Sequence, residues 1–199
     1  MDFDLSKMNL TTIFKRMTKD DIAQVFHPGH EAWDLVEYDT LRGQLYGTPL
    51  CAPENCLVLG IRGDTFTPDS HKNLENGYGI RLKGLETGLE YLYWHTLPIF
   101  PVWGGDVVKR GQIVAFMGNA GYVTVGGLLV PLEQRVKDPE PGTHLHLEVY
   151  KDGVKIDPMP LLNWSWQPNW STFDFMKALI VVLQKRIKLS TLLSTPGGV

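Results

Sequence analysis

Cysteine is nearly missing from this chain. Cys51 and Cys56 are the two among 199 residues, flanking a Pro-Glu-Asn turn in PLCAPENCLVL. They could meet across a hairpin, but two small, partly buried thiols are the expected state, and a cysteine zinc clip lacks its further ligands. Basic runs are missing too. With a net charge of −3 and a pI near 6.1, no stretch suggests a nucleic-acid footprint. Long apolar runs are also lacking: the best, ALIVVL at Ala178–Leu183, is far too short to span a bilayer. The opening MDFDLSKMNLTTIFKRMTKDD has acids at Asp2 and Asp4 and no continuous apolar core, so no signal peptide is expected.

What is present describes a globular chain. Apolar residues make up 43% and charged residues 21%, and at this length one domain with small additions at each end is the default. Twenty glycines and thirteen prolines imply many turns and therefore short strands. Residues 1–25 carry Leu5, Met8, Ile13, Phe14, Met17, Ile22 and Val25 at helix-like spacing, with Thr18-x-x-Asp21 as a capping box. Residues 26–163 hold the strand-like runs TPLCA, CLVLGI, GIRLK, LEYLYWHT, DVVKRGQIVAFMG and THLHLEVY. Tyr91 and Tyr93 there could line a cleft or pack a core. Residues 164–199 bring Trp164, Trp166 and Trp170, expected to cover the core more than to stack on sugars. A helix follows, capped by Ser171 and Asp174 and running to about Leu189, with Lys185, Arg186 and Lys188 at its dipole's negative end. The tail STPGGV should fray.

Six histidines are present. His71, in TPDSHKN, reads as a solvated loop residue. The pair in PGTHLHLEV is less easily dismissed. Residues two apart in a strand share a face, so His144 and His146 project together while Leu145, Leu147 and Val149 pack on the other side. Glu148 is read as a structural residue one face away from the histidines. His30 precedes Asp34 by four residues in GHEAWDL, and His95 ends the aromatic strand YLYWHT. Two imidazoles and a carboxylate suit zinc if a fourth position stays open, and a nearby histidine can then move protons.

GHEAWDL, YGTPLCAPE, YLYWHT, GGDVVKRGQIVAFMGNAG and GTHLHLEV occur in that order, trailed by Asp157-Pro158 and Leu161-Leu162. In this the chain resembles the lysostaphin-type zinc metallopeptidases, over roughly residues 27–163. The resemblance implies a mainly β fold, a small antiparallel sheet or sandwich with a zinc-bearing groove, flanked here by short N-terminal helices and a C-terminal helix. It implies His30, Asp34 and His146 as ligands of Zn2+, with His95 and His144 as the catalytic pair. The implied activity is hydrolysis of peptide crosslinks in bacterial peptidoglycan, zinc-bound water being the nucleophile. Without a visible export address, such an enzyme is expected to be made in the cytoplasm and to reach the wall as a phage lysin or aboard a larger particle.

Departures from the family pattern lie around the groove. Asp34 to Gly47 includes an excursion, VEYDTLRGQLY; Ala32 replaces a glycine; GYGI at Gly77–Ile80 lacks a polar residue; and the segment Tyr122–Gly142 is long. That segment is expected to form a wall or lid. At the first ligand two registers compete, His27 with Glu31 and His30 with Asp34. The shorter aspartate arm favours the second, leaving His27 outside the metal's ligands. A degenerate copy serving as a structural or binding module is the alternative function, but it has no need for all five ionisable residues. A lipoyl- or biotinyl-type carrier, suggested by GGDVVKRGQIVAFMG, lacks the exposed hairpin lysine.

Overall fold

A computed structural model of the chain describes residues 10–36, 38–39, 43–44, 46–62 and 77–194. In chain order its strands are β1 (Ile22–Gln24), β2 (Trp33–Leu35), β3 (Tyr38–Asp39), β4 (Gly43–Gln44), β5 (Pro49–Cys51), β6 (Cys56–Arg62) and β7 (Tyr78–Gly84). They continue with β8 (Glu90–Thr96), β9 (Val107–Val108), β10 (Ile113–Phe116), β11 (Thr124–Val125), β12 (Leu128–Leu129), β13 (Leu145–Lys151) and β14 (Val154–Lys155). Two helices complete the set, α1 (Leu132–Lys137) and α2 (Thr172–Ser194). The fold is mainly antiparallel β, as the sequence suggested. The principal sheet runs β1-β2-β13-β8-β7-β6-β9, with β14 on the far part of β13, and β5 pairs with β10 in a second small sheet.

Alternation decides which face of this sheet is dry. Tyr93 lies opposite Leu147 and Tyr91 opposite Val149, and all four are buried with Trp33, Leu35 and Leu145 in one core. Burying such side chains contributes about 2 kcal/mol each, provided the phenols find partners. They do: Tyr91 donates to Glu54 Oε1 at 2.6 Å and Tyr93 to the Cys51 carbonyl at 2.8 Å. Both tyrosines are therefore core residues. The other face carries Asp34, His146 and Trp94 as one cross-strand row, and Glu148, Leu92 and Arg81 as the next.

The chain ends depart from their expected forms. Of the described residues in the N-terminal stretch, only Lys19–Asp21 is helical, a single 3-10 turn whose Thr18 and Asp21 form the expected capping box. Leu10 to Met17 are irregular. Their backbone is held by other segments, with Thr11 N–H on Pro53 O, Thr12 N–H on Trp166 O, and Cys51 N–H on Ile13 O. At the other end, Ser171 and Asp174 cap α2 reciprocally. This helix runs on to Ser194, so its last turn holds no basic residue. Lys185 is instead buried, donating to Val102 O and lying 3.8 Å over the Trp103 ring. Trp164 stacks on Trp33 and Trp170 packs against the β5–β10 cluster, whereas Trp166 is exposed. Cys51 and Cys56 are free and buried. No helix among the described residues is long and apolar enough to cross a membrane. His71 lies outside the described residues, as does part of the 36–46 excursion, where β3 and β4 form a short ladder.

Candidate metal centre and histidine pair

The first flank of the site is built from turn and ladder. HPGH closes as a tight turn, His27 and His30 exchanging backbone hydrogen bonds of 3.0 and 2.9 Å. Gly29 sits there at φ +90, as the third position of a Pro-Gly type II turn requires. The turn delivers His30 to β2, where Asp34 faces it four residues on. Beside Asp34, the Trp33 indole is pinned by Asp157 Oδ1 at 3.1 Å, which gives the Asp-Pro motif a structural task. Asp34 pairs in register with His146 on β13. Its Oδ1 lies 3.3 Å from His30 Nε2 and 2.8 Å from His146 Nδ1.

These three side chains gather donor atoms within 4.8 Å of one another. Tetrahedral zinc with bonds of about 2.0–2.1 Å places its ligand atoms roughly 3.3 Å apart. The His30–Asp34 separation has that value. The Asp34–His146 contact is shorter because a proton on Nδ1 bridges the two, and a metal would replace that proton. The donor set thus fits zinc. His27 is turned elsewhere, its Nδ1 toward Pro28 O at 2.9 Å and its Nε2 toward Gln24 at 3.1 Å, while Glu31 is exposed.

Glu148 requires a correction. Its position two residues after His146 puts it on the histidine face. Its Oε1 lies 3.6 Å from His146 Nε2, the ring nitrogen directed away from Asp34. Tyr150 and Lys155 hold the carboxylate at 2.9 and 2.8 Å. Placing an acid on the outer nitrogen of a metal-ligating imidazole orients the ring and raises its basicity. Burial alone would lower the His146 pKa, but its hydrogen bond with Asp34 and the nearby Glu148 carboxylate raise it from 6.5 to about 9. Burial likewise works against ionised Glu148, yet His146, Lys155 and Tyr150 bring it down to about 2. Asp34 behaves similarly: despite burial it is lowered by the hydrogen bond from His146 and by the surrounding imidazoles.

The second flank is built from irregular backbone. Strict alternation would turn His95 toward the core with Tyr93. Its φ of +60, in a region costing a non-glycine residue about 1–2 kcal/mol, swings it to the side of His144 and His146 instead. There its ring centroid lies 4.6 Å from that of His144 and 5.7 Å from that of His146. Two glycines permit the distortion. A Cβ on Gly79 would meet the Trp94 ring at 2.4 Å, and one on Gly118 would meet Leu97 N at 2.9 Å and His95 O at 3.0 Å.

Both histidines of this flank meet main-chain carbonyls: His95 Nδ1 faces Ala120 O at 2.7 Å, and His144 Nδ1 faces Gly142 O at 2.8 Å. A carbonyl only accepts, so each Nδ1 carries the hydrogen and each neutral ring keeps its Nε2 lone pair. His144 Nε2 lies 3.8 Å from Asp34 Oδ1. Burial and the neighbouring His144 push the His95 pKa down to about 3, and burial lowers that of His144. At neutral pH this flank therefore holds two uncharged imidazoles of defined tautomer beside the carboxylate and two further imidazoles of the first flank.

No protein-family model matches the sequence, and no curated protein matches it either. Solved structures do. LytU is 24% identical over 70% of this chain and 82% of its own, with a TM-score of 0.44. The catalytic domain of the antimicrobial peptidase lysostaphin from Staphylococcus simulans is 20% identical over 78% of this chain and 92% of its own, also at 0.44. Helicobacter pylori Csd3 is 19% identical over 96% of this chain, with a TM-score of 0.50, and the chain spans 44% of that protein's length. Identities this low speak to the fold alone. The fold is similar to that of Csd3. Within it, the groove face brings together His30, Asp34, His95, His144 and His146. Glu148 joins them unanticipated, although a count by twos from His144 would have found it.

Proposed function

We propose that the protein is a zinc-dependent endopeptidase hydrolysing the peptide crosslinks of bacterial peptidoglycan, with His30, Asp34 and His146 holding the metal and His95 and His144 acting as the catalytic pair. The observation that carries this reading is the meeting, within a few ångströms, of a three-donor cluster with two histidines held as Nδ1–H tautomers by Ala120 and Gly142. Zinc, when bound, supplies a Lewis acid that polarises a peptide carbonyl and makes water more acidic. The chain's own part is proton traffic. A lone pair on Nε2 of His95 or His144 accepts a proton from the attacking water, and the ring thus charged becomes a hydrogen-bond donor. It donates to the oxyanion and then passes its proton to the leaving amine. Asp34 keeps both ligand imidazoles directed inward, and Glu148 holds the far side of His146.

The test is elemental analysis of the purified protein before and after chelation, paired with cleavage of purified peptidoglycan. One zinc per chain, with cleavage lost on chelation and restored by zinc, is the expected result. Absence of stoichiometric zinc after expression in zinc-supplemented medium would overturn the reading.

A further inference from the structure

The long segment from Tyr122 to Gly142 folds as the β11–β12 hairpin followed by α1. Its stem is closed by Val130 N–H on Val123 O at 3.0 Å, and both valines are buried. One side chain of α1 reaches back toward the groove. Arg135 Nη1 donates to the carbonyl of Asn119 and, at 2.9 Å, to that of Gly121. Between those two carbonyls lies that of Ala120, the one that receives Nδ1–H of His95.

The geometry points to Arg135 as a positioning residue for His95: the guanidinium clamps the 118–121 turn so that Ala120 O holds the ring in one orientation and one tautomer. The inference rests on the reading of His95 as one of the catalytic pair. Several independent features support it. On its inner side the turn is already wedged, since a Cβ on Gly77 would lie 2.4 Å from both C and O of Ala120. Its start is tied by Gly118 O, which accepts from His144 N–H at 3.1 Å, so one short turn touches both histidines of the pair. Asn119 Nδ2 anchors it to Pro139 O at 2.8 Å, and Thr143 Oγ1 reaches the same carbonyl at 2.7 Å. Arg135 adds two contacts of its own, to the carbonyls flanking Ala120. Arginine suits the task because its planar head places several donors rigidly, whereas an ammonium is a single mobile point. The Arg135 Nε is buried with no hydrogen-bond partner among the described residues, so the head is held by the turn's carbonyls. The segment thereby acquires a task in the chemistry.

The experiment compares the zinc-loaded full chain with its Arg135→Met and Arg135→Lys variants. Four quantities are measured: thermal unfolding, zinc content, the His95 tautomer from side-chain nitrogen chemical shifts (assigned with His95→Ala), and kcat and KM on a crosslinked peptide. Arg135→Met is expected to keep its zinc, to lower kcat about 10- to 100-fold with KM nearly unchanged, and to turn the single Nδ1–H signal of His95 into a mixture. Arg135→Lys should recover only part of each loss. An unchanged His95 signal with unchanged kcat overturns the clamp, as does a rise in KM alone, which would mark Arg135 as part of a substrate wall. If Arg135→Met fails to fold, Arg135→Lys decides by itself: wild-type kcat and a wild-type His95 signal refute the proposal. Should the wild-type protein cleave nothing, the functional reading fails, yet the His95 signal still tests the clamp.

Discussion

His146 and His95 stand with ring centroids 5.7 Å apart, yet one has a pKa near 9 and the other near 3. Burial disfavours the charged form of both. What differs is the means of support. His146 sits on a regular ladder between two carboxylates, Asp34 and Glu148, and anions favour its cation. His95 sits on distorted backbone, meets a neutral carbonyl and adjoins another imidazole. One flank thus offers charged groups that a cation can replace or bind, and the other offers neutral rings ready to exchange protons. The proposed function would draw on both kinds, and regular and irregular backbone supply one each.

The largest expected effect comes from removing the charge on the first flank. Asp34→Asn deprives His30 and His146 of their shared partner and should abolish stoichiometric zinc and all cleavage, as measured by elemental analysis and turnover; full zinc retention would remove Asp34 from the ligand set. On the second flank, His95→Ala and His144→Ala should each keep the metal and lose about 10²- to 10⁴-fold in turnover, whereas His146→Ala should lose the metal itself. Zinc loss in His144→Ala but not in His146→Ala would exchange the roles of the two.

Smaller changes sharpen the contrast. Glu148→Gln leaves every proposed ligand in place but removes the acid behind His146, and should weaken zinc binding about 10- to 100-fold in chelator competition. A wild-type affinity would make Glu148 structural only. The raised pKa of His146 gives a pH test. Its stabilising contribution to metal-free protein is complete below about pH 6.5 and is lost as pH rises through about 9. Zinc must displace that same proton, so the Tm gap between zinc-saturated and metal-free protein should widen from pH 6.5 to 9. A constant gap would show that the proton on His146 is not in competition with the metal. The smallest effect belongs to His27→Ala, which should leave zinc content unchanged; loss of zinc there, with retention in His30→Ala, would move the ligands to His27 and Glu31.

The two flanks were unequally legible. Strand alternation puts His144 and His146 on one face and spacing sets His30 four residues before Asp34, but it took the pairing of β2 with β13, 112 residues apart in the chain, to bring His146 beside Asp34. The same count of two carries Glu148 to the histidine face, since Leu147 and Val149 mark the dry side. Ile13, Phe14 and Met17 are a different case. Their helical spacing is real and all three are buried, yet the segment is irregular apart from the turn that follows it. Backbone partners supplied by Pro53, Trp166 and Cys51 replace those an α-helix would have provided. Lys185 likewise carries a helix-end signature, but α2 continues for nine residues beyond it and a buried carbonyl receives its ammonium.

Residue order alone determined a β-rich chain with its apolar positions alternating, its caps at Thr18 and Ser171, His30 four residues before Asp34, and His144 on the face of His146, because each of these is written in neighbours a few positions apart. Tertiary structure alone decided that His95 leaves its strand's alternation at φ +60, that its Nδ1 faces Ala120 O, and that Arg135 of α1 meets the carbonyls on either side of Ala120. Those outcomes depend on backbone carbonyls and on close approaches at Gly77 and Gly118. A carbonyl is the same group at every residue, so nothing in the order of side chains says which one a histidine will meet until the chain has folded around it.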